Sequence, residues 1–267
     1  MARVRRLAGQ KRVGHAGTLD PLATGVLPIL LGRATRLADF IQAGRKTYVA
    51  EIRLGTATET DDAEGSVIEQ RPIPSLSQPE IKNILTQFTG EILQIPPKYS
   101  ALKVAGRRAY ALARAGGDVH LEPRPITVDT LHLLRFTDTT LTVEVTCSKG
   151  TYIRALARDI ATRLDTVGHM SALARTRVGP FTRSESVTVD DLASRGLPAV
   201  VLSPRCALPE APAFTADAGA ARMFMNGQPI GACSGLRADH VWVYDPDGQL
   251  IGLAAGDGQL LRPRLAL

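Results

Sequence analysis

The twelve residues GHAGTLDPLATG, Gly14 to Gly25, restrict this chain more than any other stretch. Glycines at 14, 17 and 25 carry no Cβ, so the backbone can turn tightly and come close to a ligand. Pro21 fixes its own φ and pushes Asp20 out of the helical region. The segment reads as an irregular loop that aims one carboxylate, Asp20, at a fixed point. On the residues alone, an Asp-Pro surface turn before the apolar run VLPILL (Val26 to Leu31) satisfies the same pattern.

Around that loop, hydrophobic periodicity sets out the elements. A short helix over Arg3 to Leu7 precedes it. A strand over Val26 to Leu31 follows, then a helix from Ala34 to Gln42 closed by Gly44. Tyr48, Ala50, Ile52 and Leu54 alternate with Val49, Glu51 and Arg53, the period of a half-buried strand. Asp62 to Gly65 turns the chain into a second strand, Ser66 to Glu69, which predicts a hairpin. Ser77 and Glu80 form the capping-box signature of a helix reaching Phe88. Strands return at Thr127 to Phe136 and Thr140 to Cys147. From Thr151 to Leu164, Ile153, Leu156, Ala157, Ile160, Ala161 and Leu164 share one helical face. Ser203-Pro204 and Pro209 to Ala213 predict a linker, and short pieces such as His240 to Tyr244 and Leu250 to Ala254 predict a small barrel. Strands and helices mixed without regular βαβ alternation give an α+β fold.

Composition excludes several classes. No apolar run approaches the ~20 residues of a membrane span, and the basic segment Met1 to Gln10 has no apolar core like that of a signal peptide. Cys147, Cys206 and Cys233 are too few and too dispersed for a disulfide framework or a zinc site. They read as buried or idle thiols in a reducing cytoplasm. The net charge of +6 suits a polyanionic partner. It is unevenly placed: residues 1–60 carry ten Lys/Arg against four Asp/Glu, and residues 96–125 carry six against two. Residues 206–267 carry four against six. Arginine supplies 26 of the 32 basic residues and suits phosphates and stacked bases, although a GC-rich gene also enriches it.

The loop closely resembles the catalytic loop of the TruB family, the bacterial tRNA pseudouridine-55 synthases. Further segments resemble the family in the same order: KTYVAEIRLGTATETDDAEG (Lys46 to Gly65), IPPKYSALKVAGRRAYALARAG (Ile95 to Gly116), CSKGTYIRALARDI (Cys147 to Ile160) and LARTRVGPF (Leu173 to Phe181). The resemblance implies a catalytic domain over residues 1–205, built on a mixed, mainly antiparallel sheet of the pseudouridine synthase type with flanking helices. It implies a small C-terminal PUA-like β-barrel over 206–267, where FMNGQPI (Phe224 to Ile230) is the only suggestive string.

It also implies a reaction. A uridine's glycosidic bond is broken, the base turns, and carbon 5 rejoins the sugar, with no redox change and no cofactor or metal. Asp20 is then the catalytic residue, as nucleophile or as base, and the sequence does not choose between the two. A carboxylate taken out of water needs a cation beside it to stay ionised, and the family's T-Y-I-R motif makes Arg154 that cation. A solvated place on the polar face of its helix, one turn before Arg158, is the other reading. Tyr48 resembles the tyrosine that stacks on the target base and helps remove its carbon-5 proton. Tyr152 resembles a second pocket tyrosine, and Leu173 an apolar wall; as strand residues, Tyr48 and Leu173 would also look like ordinary core. Extruding a stacked uridine costs roughly a few kcal/mol, and His15 resembles the histidine that fills the vacated space. A lone histidine in such a loop also reads as an exposed turn residue, and no second ligand stands at metal-binding spacing.

Lys98, Lys103, Arg107 and Arg108, interleaved with Tyr99 and Tyr110, suit an RNA surface read by shape and backbone. The family places a thumb-like insertion here, at about residues 95–125; a solvated basic helix has the same composition. The expected partner is the T-arm stem-loop of tRNA, bound by a monomer without a membrane or small-molecule cofactor. One departure is expected to matter. The chain begins inside what should be the helix after the family's first strand and its D-K-P-x-G-x-T-S segment, so the sheet should carry an open edge and the protein should be poorly soluble. An RNA-binding or tRNA-folding protein without catalysis, or the catalytic subunit of a guide-RNA particle, are the competing readings. Joint presence of Asp20, Tyr48, Tyr152 and Arg154 favours the enzyme.

Overall fold

The alternation seen from Tyr48 onward belongs to a strand, Lys46–Leu54, that turns Ala50, Ile52 and Leu54 to one buried face. A computed structural model describes this strand and residues 1–104, 106–115, 119–232 and 235–267. Ala105 and residues 116–118 of the basic insertion, with Cys233 and Ser234, lie outside the described residues. Two compact units form: Thr18–Leu27 with Gln42–Ser186, and Met1–Gly17 with Pro28–Ile41 and Val187–Leu267.

The first unit is built on one sheet. Its strands run in the order Phe181–Thr182, Gly168–Val178, Lys46–Leu54, Thr140–Cys147, Arg124–Thr137 and Gly90–Gln94. Every neighbour on that path is antiparallel. Thr24–Gly25 adds a short parallel pairing to Gly168–Val178, which makes the sheet mixed. Helices Gln78–Thr86 and Ile153–Arg163 press Ile81, Leu85, Leu156 and Ile160 into the same core as Ile52, Val128, Leu141 and Val145. The capping box at Ser77 and Glu80 is formed in full, satisfying two backbone donors that a bare helix start leaves open.

Three local expectations change. The strand expected over Val26 to Leu31 spans only Ile29–Leu31, because Pro28 has no N–H to give a ladder. The helix expected from Ala34 begins as a 3₁₀ turn, Gly32–Leu37, and becomes α only over Ala38–Ala43. The hairpin exists, but Val67–Gln70 pairs with Thr56–Thr58 and not with the central strand. Gly55, at φ +82°, breaks the strand between the two and frees Lys46–Leu54 for the main sheet.

The second unit carries a five-stranded sheet ordered Ala213–Thr215, Arg237–Tyr244, Leu250–Asp257, Leu260–Ala266 and Ile230–Gly231. Helix Ala218–Met225 buries Phe224 against Val241, Val243, Ala254 and Leu261. The stretch expected as a linker holds a 3₁₀ turn, Pro204–Ala207, and ends in the first strand of this sheet. Among the described residues no helix is long and apolar enough to cross a membrane.

Candidate active site

Asp20 sits where an irregular loop meets the end of a buried helix. The Ala23 amide donates to the Asp20 carbonyl at 2.9 Å and closes the turn that Pro21 opens. Its carboxylate takes a forked contact from Arg154: Nε to Oδ2 at 3.2 Å and Nη2 to Oδ1 at 3.1 Å. Bidentate pairing of this kind fixes direction as well as distance. The Arg154 side chain is only 8% exposed against 31% for Asp20, so the pair has a buried side and an open one. The solvated reading of Arg154 does not hold.

The remaining donors of that guanidinium draw in distant segments. Nη1 donates to the Thr60 carbonyl at 3.0 Å, and Nη2 to the Tyr99 carbonyl at 3.1 Å. Asp62 Oδ2 stands 3.5 Å from Nη1. Asp62 is buried, and its Oδ1 accepts from the Thr60 hydroxyl and from the Glu64 amide at 3.1 Å. One turn along the helix, Arg158 pairs with Asp61 at 2.8 Å and donates to the Ile95 carbonyl at 2.9 Å. Asp61 takes a left-handed φ of +61° to reach it. Burial pushes the Asp61 carboxyl above its ordinary pKa, with Arg158 opposing.

Tyr152 stands at the start of helix Ile153–Arg163, its backbone held on both sides by one amide. Gln94 Nε2 donates to the Tyr152 carbonyl at 3.1 Å, and the Tyr152 amide donates to Gln94 Oε1 at 2.9 Å. Burial raises the Tyr152 phenol above its ordinary pKa. Tyr48 is half-buried on the central strand, and burial raises its phenol too. Leu173, in register with Ala50 on the next strand, is buried in the core of the sheet. The loop leaves the site through Gly25, at φ +101°, where a Cβ would stand 2.1 Å from the Arg175 carbonyl oxygen. Glycine is required there.

Asp20, Tyr48, Tyr152, Arg154 and Leu173 thus belong to one unit. His15 belongs to the other, on the short strand Val13–His15 paired with Ile29–Leu31. It is half-buried there rather than an exposed turn residue. Its Nδ1 is buried with no hydrogen-bond partner among the described residues. Lys98, Lys103, Arg107 and Arg108 are all exposed. The last three lie on a two-stranded ribbon, Lys103–Val104 with Arg107–Arg108, followed by helix Ala109–Arg114. The segment is therefore not a single basic helix. Sequence reasoning missed Asp62, Gln94 and Arg175. A usable signal existed for the first: Arg154 and Arg158 stand four residues apart on one helix face, facing the adjacent Asp61 and Asp62.

The fold and site together define an α+β protein presenting one arginine-clamped carboxylate from a glycine-bounded loop. Its relatives are specific. Residues 5–153 match the model of the TruB family pseudouridylate synthase N-terminal domain, and residues 154–197 that of the tRNA pseudouridylate synthase B C-terminal domain. A tRNA pseudouridine synthase B of Thermobifida fusca is 44% identical over 95% of this chain and 88% of its own length. One from Caldanaerobacter subterraneus is 39% identical over 98% and 91%. A solved Cbf5–Nop10–Gar1 complex aligns over 100% of this chain and 79% of its own, with TM-score 0.73 and 22% identity, a likeness of fold. The chain belongs to the TruB family of pseudouridylate synthases.

Proposed function

We propose that this protein converts the uridine at position 55 of the tRNA T-loop to pseudouridine, with Asp20 as the catalytic carboxylate. The observation that carries this is the forked Asp20–Arg154 contact, one side buried and the other open. The relatives named tRNA pseudouridine synthase B support tRNA as the substrate.

The reaction is an isomerisation. The bond from base N1 to ribose C1′ breaks, C5 bonds to C1′, and the C5 proton is released while N1 gains one. Asp20 acts on the sugar or base as nucleophile, or on a ribose proton as base. Either role needs the carboxylate aimed at the reacting atoms, and the forked Arg154 contact fixes that direction. Tyr48 stacks on the base and assists loss of the C5 proton, Tyr152 lines the pocket beside Asp20, and Leu173 forms its apolar wall. His15 fills the space left by the extruded uridine. Lys98, Lys103, Arg107 and Arg108 hold phosphates of the T-arm stem-loop, and residues 206–267 act as a PUA-like RNA-binding domain after a catalytic domain of residues 1–205. The protein works as a cytoplasmic monomer without a cofactor.

The test uses a T-arm stem-loop carrying tritium at uridine carbon 5. Wild type releases the label. Asp20→Asn abolishes release and keeps RNA affinity, because it removes charge and nucleophilicity with almost no change in volume. Full release by that variant would overturn the assignment; RNA binding with no release by wild type would favour a binding protein.

A further inference from the structure

A second buried arginine serves the site from the opposite strand. Arg175 is 2% exposed on the strand Gly168–Val178. Burying a guanidinium is costly unless its donors are satisfied, so their direction is informative. Nε donates to the Val26 carbonyl at 2.8 Å, and Nη1 to the Thr18 carbonyl at 3.3 Å. Those two carbonyls flank Asp20 on either side in the chain. The backbone adds to the clamp, since the Val26 amide donates to the Arg175 carbonyl at 2.8 Å. The side chain thus closes the ends of the loop that bears the carboxylate.

The same residue faces Tyr48. Arg175 and Tyr48 are direct cross-strand partners in the antiparallel pairing of Gly168–Val178 with Lys46–Leu54. Directly opposed residues project to the same face, close enough to interact. The guanidinium lies against the Tyr48 phenol, where it opposes the upward push of burial on phenol ionisation. A buried leucine would cover this part of the sheet equally well but would reach neither carbonyl, and a lysine has no planar fork to bridge several acceptors.

We propose that Arg175 is a positioning residue that locks the Asp20 loop and the Tyr48 phenol into one rigid arrangement. Arg154 then sets the direction of the carboxylate, while Arg175 sets the place of the loop and the polarity around the phenol. The inference rests on the roles given above to Asp20 and Tyr48. Displacements of about 1 Å in such an arrangement are worth about a hundredfold in rate.

The experiment compares wild type, Arg175→Lys and Arg175→Gln, each also in a Tyr48→Phe background. Tyrosines are labelled with ¹³C at Cζ, and the Tyr48 signal is assigned by its loss in Tyr48→Phe. In the RNA-free protein the Tyr48 phenol titrates at higher pH in Arg175→Gln than in wild type, and Arg175→Lys returns it toward wild type. Single-turnover tritium release falls about a hundredfold in Arg175→Gln, while affinity for the T-arm stem-loop is unchanged and Arg175→Lys recovers part of the rate. In the Tyr48→Phe background the further loss is smaller, the coupling expected of residues that act through each other. A Tyr48 titration indifferent to residue 175, or rate losses that add in full, would overturn the proposal. If Arg175→Gln does not fold, Arg175→Lys carries both readouts. If wild type releases no tritium, the catalytic reading fails, yet the phenol titration still decides whether Arg175 governs Tyr48.

Discussion

Lys46 opens the central strand in a place where a lysine is normally avoided. It is 7% exposed, and its Nζ donates to the carbonyls of Gln42 and Gly44. Burial pushes its pKa down to about 8. Its strand partner Cys147 is pushed up to about 11, also by burial. For Lys46 the folded pKa lies below the unfolded value of 10.5. Between pH 8 and 10.5 the unfolded chain therefore holds a proton that the native chain has lost, and native stability rises with pH across that window. Urea denaturation should show wild type gaining on Lys46→Met from pH 8 to 10.5, with Cys147 common to both proteins. A difference independent of pH would mean Lys46 stays charged when folded. Gly25 sets a second limit at this scale. Gly25→Ala forces a side chain onto φ +101° and its Cβ onto a backbone oxygen 2.1 Å away. The dihedral alone costs about 1–3 kcal/mol. The expected result is a lower denaturation midpoint together with slower tritium release, since the loop exit must shift.

At the scale of elements, helix Ile153–Arg163 joins packing to chemistry. Leu156 and Ile160 enter the sheet core, while Arg154 and Arg158 anchor the Asp20 loop and the Thr60–Asp62 turn. Leu156→Ala should cost about 2–5 kcal/mol, since the site is closed on all sides, and should lower turnover by loosening Arg154. Ser77→Ala on helix Gln78–Thr86 should cost only about 1 kcal/mol and leave turnover alone; calorimetry beside tritium release separates the two cases. These two helices were legible because their faces follow a 3.6-residue period and a local cap. The strands Arg124–Thr137 and Thr140–Cys147 were legible from their period of two. The hairpin partner was not, since a single glycine at positive φ decided it. Nor was the burial of Arg154, because the groups that satisfy it come from Asp20, Thr60 and Tyr99, 134, 94 and 55 residues away in sequence. Gln94 was invisible for the same reason: it binds Tyr152 across 58 residues.

Over the whole molecule, charge rather than packing points to where RNA should be felt. Residues 96–125 carry six basic side chains against two acidic ones. The described part of that stretch packs Ala109, Val119 and Leu121 into a small cluster of its own. Arg107 and Arg108 lie outside this cluster and are exposed, so replacing both with alanine removes charge without opening a core. Each phosphate neutralised by such a side chain releases about one counterion on binding, which sets the steepness of the salt dependence. Arg107→Ala with Arg108→Ala should therefore weaken T-arm binding and lower the slope of log K against log salt by about one for each phosphate left unneutralised. Turnover at saturating RNA should stay near wild type, because neither side chain belongs to the Asp20 pocket. Lys82→Ala, which removes a charge from the exposed face of helix Gln78–Thr86, controls for net charge and should leave the slope unchanged. An unaltered slope in the double variant would place the RNA on another surface. An equal fall in Lys82→Ala would mean that overall charge, and not this ribbon, attracts it.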